Sequence, residues 1–456
     1  MKVKTISRNE AEFTRERKVD LVRMQRNVDP AQHPFEKPRE YTRALNAVKM
    51  DKIFARPFVA ALNGHSDSVF SLCRHPDSLT HIFSGSCDGV VVVMGVPELK
   101  VWNLATHACL ATLPAHRGFV RGVALGHGNS SVITVGDDKA IKLWPISLDG
   151  LRNGLPEDIQ PLTTFLGEHA FSGISHKANQ PIFATSGPVI LLWDETRGSP
   201  TATFEWGCDS VNAVKFNPID QDVLASLASD RSLAFHDVRA STPIRKVIMT
   251  MRGNAVAWNP MEAFNLSVAS EDHNVYTFDM RRLDTALNVH QDHVAAVLDI
   301  DYSPTGEEFV TGSYDRTLRI FRRSEGRSRE VYHTKRMQRI FCVRFTGDSR
   351  FVMSASDDTN IRLWKANAAD PLKVLVPREK KKMEYQEKLK ARYRHLPEIR
   401  RIDRHRHLPK AVHGATRLKS VMKKAEQRKE KNRAAHSSQD TRPVPERKRH
   451  IVEVQQ

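Results

Sequence analysis

Apolar and polar positions alternate in short runs through the middle of the chain, and most runs follow a Ser or Gly and a turn-forming Asp. The segments VGDDKAIKLW, TSGPVILLWD, ASDRSLAFHD, SEDHNVYTFD, GSYDRTLRIF and SDDTNIRLW repeat this design, and residues 84–104, SGSCDGVVVVMGVPELKVWNL, carry a seventh version with extra residues in its middle. Period-two alternation over so few residues predicts β-strands rather than helices. The closing residues are Trp102, Trp144, Trp193, His236, Phe278, Phe321 and Trp364, spaced by 42, 49, 43, 42, 43 and 43 residues. A constant period of this size means one supersecondary unit per copy.

That period, with four short strands per unit, predicts an all-β fold, a seven-bladed WD40 β-propeller. Both faces of each blade pack on neighbouring blades, so even the alternate positions stay apolar. The stretch ARPFVAALNGH reads as an outer strand without inner strands of its own, whereas the last copy stops at Trp364. Residues 57–62 are therefore expected to complete the seventh blade, bringing both arms near one seam. The expected organisation is a basic N-terminal arm (1–57), the propeller (58–377) and a basic α-helical C-terminal extension (378–456).

Each turn Asp, a His after the preceding outer strand, a Ser or Thr and the closing aromatic can form a buried hydrogen-bonded chain. The candidates are His65, Asp88, Trp102, His116, Asp138, Trp144, His169, Trp193, Asp230, Asp272, Asp315, Asp358 and Trp364. Asp, His and Ser together imitate a hydrolase triad. A nucleophile site is needed once, beside an oxyanion hole, whereas this trio recurs from blade to blade, which favours a structural role. No P-loop, HExxH, GxSxG or GxGxxG motif occurs, so no enzyme, catalytic residue or cofactor is expected.

Composition sharpens the picture at the ends. Residues 378–456 hold 25 Lys and Arg against 10 Asp and Glu, residues 1–57 hold 14 against 8, and the body between holds 31 against 35. A nearly neutral body with two basic arms points to a polyanionic partner, most often nucleic acid. The C-terminal run is rich in helix formers broken by Pro397 and Pro409, which predicts a helix over 378–395, a short basic element over 398–406 and a helix over 415–434. Met383, Tyr385, Leu389 and Tyr393 are too few for a separate core, so these helices are expected on the propeller or on a partner. Five scattered cysteines lack metal or redox spacing and read as reduced, mostly buried thiols, with no metal expected. No apolar leader or membrane-length run is present, so a soluble intracellular protein with no membrane partner is expected.

The seventh version breaks the ruler. In five other copies the turn Asp precedes the closing residue by six positions, but Asp88 precedes Trp102 by fourteen. Removing eight residues between Val90 and Leu99, for example Val92 to Leu99, restores the spacing. This reads as an added turn segment, whether an isoform insertion, a gene-model artefact or a functional loop.

Larger blocks carry a resemblance. NVDPAQHPFEKPREYTRALNA, WNPMEAFNLSVASEDHNVYTFDMR, VLDIDYSPTGEEFVTGSYDRTLRIF, SREVYHTKRMQR and RHRHLPK resemble the Sof-type WD-repeat proteins over nearly the whole chain, both arms included. The resemblance implies a nucleolar scaffold of the small-subunit processome, in which U3 small nucleolar RNA guides pre-ribosomal RNA processing. Its implied partners are processome proteins, U3 and pre-rRNA. Lys380, Lys381, Lys382, Arg400, Arg401, Arg404, Arg406 and Lys410 are the candidate contacts to phosphate; a solvated helical face or a localisation signal would use the same residues. The vertebrate members are also described as a cullin-RING ligase associated factor. FHDVRAS and TFDMRRL, with Asp237, Arg239, Asp279 and Arg281, resemble the paired WDxR boxes by which substrate receptors dock on the ligase adaptor, with His236 and Phe278 in place of Trp. Asp followed two residues later by Arg also occurs in WD repeats as a local salt bridge.

Overall fold

In five repeats the residue after the turn Asp has left-handed backbone: Lys139, Arg231, His273, Arg316 and Thr359, with φ of 61–69°. A three-residue hairpin ending in that conformation matches the twist of the flanking strands. The preceding Asp makes it affordable to the backbone: Asp138, Asp230, Asp272 and Asp315 each accept the N–H of the residue two positions on, at 2.9–3.3 Å. The repeated Asp is thus first a turn former.

The computed structural model describes residues 30–87, 98–146, 159–205, 209–240, 243–437 and 444–455. Among them lie seven antiparallel sheets. Blade one is built from Val69–Arg74, His81–Ser86, Glu98–Asn103 and Ala108–Pro114, and the later blades follow in chain order. Blade seven takes its outer strand, Phe58–Leu62, from the N-terminal side of the ring, with Phe58 opposite Trp364 and Leu62 opposite Ile361. Closure by the 57–62 segment is therefore observed, and it removes the free edge that an open array would leave.

The core lies between blades rather than at one centre. Leu62, Val69, Leu72, Trp102, Met353 and Ile361 join blades seven and one. Phe83, Leu99, Val101, Val132 and Trp144 join one and two. All seven closing residues are buried. Each large side chain so buried stabilises the fold by about 1.5–3 kcal/mol.

Leu99 corrects one boundary: it pairs with Gly85 and Leu113 and is fully buried, so it belongs to the blade. The eight surplus residues therefore fall between Asp88 and Glu98; residues 88–97, Asp88 included, lie outside the described residues. Of the cysteines, Cys87 and Cys342 are buried, Cys73 is half-buried and Cys109 is exposed; Cys208 lies outside the described residues.

The chain forms two compact units. One contains the blades with residues 407–456; the other joins the N-terminal arm to residues 367–406. The second unit holds three helices, α1 (Glu36–Ile53), α2 (Pro377–Tyr393) and α3 (Pro397–Arg404). Pro377 and Pro397 each occupy the first helical position, where the missing N–H costs nothing. Ala44 and Val48 pack with Leu389 and Ile399, bordered by Tyr41, Leu45, Tyr393 and Ile402. Lys390 pairs with Asp51 at 2.5 Å, and Glu40 accepts from Arg392 and Tyr393 at 2.9 Å each. The expectation that α2 packs on the propeller or on a partner is corrected for Leu389 and Tyr393, whose core is completed by α1; Tyr385 is exposed. The signal of α1, Tyr41, Ala44, Leu45 and Val48 at helical spacing, sits in an arm read only for charge.

Residues 378–456 therefore divide at 406. Beyond it, α4 (Lys410–His436) belongs to the propeller unit, as does a final strand, Ile451–Gln455, where only helices were expected. That strand pairs antiparallel with Pro243–Met249 and makes blade four five-stranded. Ile451 and Val454 pack on the apolar cluster of blades four and five. No described helix is long and apolar enough to cross a membrane.

Two buried rings make stability depend on pH. Burial lowers the His236 imidazole to about 4; burial also lowers His290 to about 4 against the opposing effect of the hydrogen bond that its Nδ1–H donates to the Glu325 carbonyl. Both folded values lie below the unfolded value near 6.5, so the stabilisation is complete above that pH and is lost as pH falls towards 4. By pH 5 each ring should cost about 2 kcal/mol. A urea midpoint that stays level between pH 7.5 and 5 would contradict this.

Candidate interaction surfaces

The triad-like trios are closed to substrate. In blade two His116 Nδ1 meets Asp138 at 2.9 Å and its Nε2 meets Thr134 Oγ1 at 2.8 Å, while Trp144 Nε1–H donates to the same hydroxyl at 3.0 Å. Thr134 has no exposed surface. Blade six repeats the arrangement with His293, Asp315 and Thr311, at 2.9 and 2.7 Å, under Phe321. His293 went unnoticed in the sequence, although the HQDH block places it as NGH places His65.

Among the described residues, the other blades show parts of it. His65 meets Ser84 at 2.6 Å, and Trp102 Nε1–H donates to that hydroxyl at 2.7 Å. In blades three and seven Trp193 donates to Thr185 and Trp364 to Ser354, both at 2.9 Å. Candidate His169 is exposed; the turn it would reach carries Pro188 and no Asp. The remaining turn carboxylates pair with Lys246 (Asp230), Tyr276 and His450 (Asp272) and Arg362 (Asp358). One turn design thus takes His in blades two and six and other counterparts in blades four, five and seven.

The Asp–x–Arg boxes are twins at the ends of the third strands, Ser232–Asp237 and Asn274–Asp279, of blades four and five. Asp237 accepts from Arg239 N, Nε and Nη2 at 3.0, 3.1 and 3.1 Å; Asp279 accepts from Arg281 at 2.9, 3.1 and 2.9 Å. Hydrogen bonds from these arginines hold both carboxyls below the usual range. The guanidinium groups face solvent, with side-chain exposures of 70% and 63%. Arg281 also lies over the Phe264 ring at 4.2 Å, and Arg245 of blade four donates to the Arg281 carbonyl at 2.7 Å, tying the boxes together. Beneath, His236 is buried against Ser226 and Phe278 is fully packed, so both fill the position that Trp fills elsewhere.

In the helical unit Lys380, Lys381 and Lys382 occupy exposed positions on the first turns of α2, and Arg400, Arg401 and Arg404 occupy exposed positions on α3. Arg406 is half-buried and donates to the carbonyls of Asp403 and His405, so its role is to hold the chain leaving α3. Lys410 is exposed at the start of α4, in the propeller unit. Seven of the eight candidates thus belong to the helical unit and one, Lys410, to the propeller unit.

Comparison with known proteins agrees with this architecture. The profile "Sof1-like domain" matches residues 366–451, and "WD domain, G-beta repeat" matches 56–93, 107–145, 284–322 and 329–365. The inner strands of blades three, four and five fall outside those repeat matches, where Pro188, His236 and Phe278 depart from the common pattern. The chain is 48% identical over 455 residues to "DDB1- and CUL4-associated factor 13" of Xenopus tropicalis and 50% identical to the protein of that name in Homo sapiens, covering 100% of both chains in each case. It is 42% identical over 471 residues to "Protein SOF1" of Saccharomyces cerevisiae, covering 99% of this chain and 94% of that one. With seven closed blades, a Sof1-like C-terminal region and likeness along its full length, the chain belongs to the Sof1-like WD-repeat family.

Proposed function

We propose that this protein is a non-catalytic, nucleolar scaffold of the small-subunit processome, needed for pre-18S rRNA processing and assembly of the 40S ribosomal subunit. The observation that carries this reading is the likeness to Protein SOF1 along the whole chain, basic arms included. The closed ring supplies rigid faces for processome proteins. Exposed cations at Lys380, Lys381, Lys382, Arg400, Arg401 and Arg404 suit the phosphates of U3 and pre-rRNA, and Lys410 adds one on the propeller unit. Stacking on bases is disfavoured by the sparseness of aromatics: α2 offers only Tyr385 and Tyr393, and Tyr393 is engaged by Glu40 and Tyr41. Contacts therefore run to backbone and protein.

Depletion should lower mature small-subunit rRNA and leave uncleaved precursor; normal processing would sink the reading. Rescue with Lys380, Lys381, Lys382, Arg400, Arg401 and Arg404 changed to Gln keeps both units folded, since these side chains are exposed. Crosslinking to U3 and precursor should then fall, and the salt slope of RNA binding should flatten by roughly four. Deleting 378–456 would be a poorer probe, because it also removes half of the helical unit's core and the fifth strand of blade four.

A second role is favoured by one specific observation, the twin Asp–Arg boxes, together with the relatives' being named as DDB1- and CUL4-associated factors. In that role the protein is a substrate receptor whose blades four and five dock on the adaptor of a cullin-RING ubiquitin ligase. The two roles use different residues and can coexist in one chain.

A further inference from the structure

Helix α4 packs on the propeller by one face and leaves a second, ordered face uncovered. Val412, Thr416, Lys419 and Lys423 lie within one narrow arc of the helix. Val412 is buried, Lys419 donates to the His293 carbonyl at 3.2 Å, and Lys423 reaches Gln291 Oε1 at 2.5 Å and Glu446 at 2.6 Å. Opposite them Gly414, Leu418, Val421, Met422 and Ala425 form a continuous ridge at helical spacing. Leu418, Val421 and Met422 are 63%, 59% and 58% exposed. Among the described residues a side chain added at Gly414 would meet no atom within 4 Å, so they supply no packing reason for a helix-weakening glycine there.

Charge identifies the occupant. Arg417, Lys424 and Arg428 run in a row along one edge of the ridge, all exposed, and the helix as a whole carries nine Lys and Arg against two Glu. RNA would use the cations but not an apolar ridge, which is more costly to leave wet than to bury against protein. We infer that the outer face of α4 docks an acidic amphipathic helix of a partner protein, with that helix's apolar stripe on Leu418, Val421 and Met422 and its carboxylates against Arg417, Lys424 and Arg428. Gly414 leaves room for close backbone approach at one end of the contact. The inference does not depend on which assembly the protein serves.

The test is photocrosslinking in cells that express the full-length chain with p-benzoylphenylalanine in place of Val421. The expected adduct resists nuclease, contains a single partner protein, and maps to a segment with apolar residues at helical spacing and an excess of Asp and Glu. Adding Leu418→Ser and Met422→Ser should reduce its yield about tenfold or more. A nuclease-sensitive adduct, absence of any adduct, a crosslinked segment that is not acidic, or full yield with the serine variant would each overturn the proposal.

Discussion

Replacing Arg239 and Arg281 together with Ala should abolish co-purification of the cullin-RING adaptor while leaving the propeller folded. Each arginine is held in a fork by its own Asp, so the guanidinium is oriented before any partner arrives and little side-chain freedom remains to be lost on docking. Its exposed position means that the internal ion pair contributes little to stability. A purely local salt bridge and a docking box therefore separate cleanly. If the pair is local, the double variant unfolds slightly earlier and recovers adaptor in full; if it docks, adaptor recovery falls by more than tenfold with the melting curve nearly unchanged. Arg→Lys at both positions should fall between, because an ammonium keeps the charge and loses the fork. Quantitative pull-down beside thermal unfolding of the same preparations decides the matter.

Asp315→Ala should be the most damaging single substitution at a turn carboxylate. Asp315 and His293 have side-chain exposures of only 3% and 1%, and the same carboxylate accepts from Thr317 N and Oγ1 at 2.9 and 2.6 Å. Burial pushes the acid up, yet the attraction of His293, its hydrogen bond and the Arg319 charge outweigh that and hold it well below the usual range. Truncation would leave His293, Thr317 and the buried Arg319 short of a counterpart, at about 3–5 kcal/mol. Asp315→Asn retains an acceptor for the turn and should cost less. A loss below about 1 kcal/mol in urea unfolding would show that blade six does not rely on this carboxylate.

The ring was legible because its information is local and repeated. Two or three alternating apolar residues and a closing ring recur seven times at nearly constant spacing, six of the copies behind a turn Asp, and the incomplete copies at the two ends account for each other. The same regularity made the surplus in blade one measurable, although only the pairing of Leu99 with Gly85 and Leu113 located its far limit. The Asp–x–Arg boxes were equally visible, since three residues at a strand end contain the whole motif.

The hydrogen-bond partners were not legible. His169 follows the repeat ruler as well as His116 does, but its target turn has no carboxylate; Asp230, Asp272 and Asp358 recruit Lys246, Tyr276 with His450, and Arg362. Which donor reaches a turn depends on packing between blades, and the repeat pattern is silent on that.

By itself, then, the sequence determined the number of blades, the closure of the ring and the exposed chemistry of its arms, because β-alternation, turn chemistry and charge are properties of adjacent residues. Only the tertiary structure decided that α1 completes the core of α2 and α3, and that Ile451–Gln455 becomes the fifth strand of blade four. Those pairings join segments some 200 to 360 residues apart. Neither partner buries enough apolar surface alone to be recognised, and each gains its structure from the other.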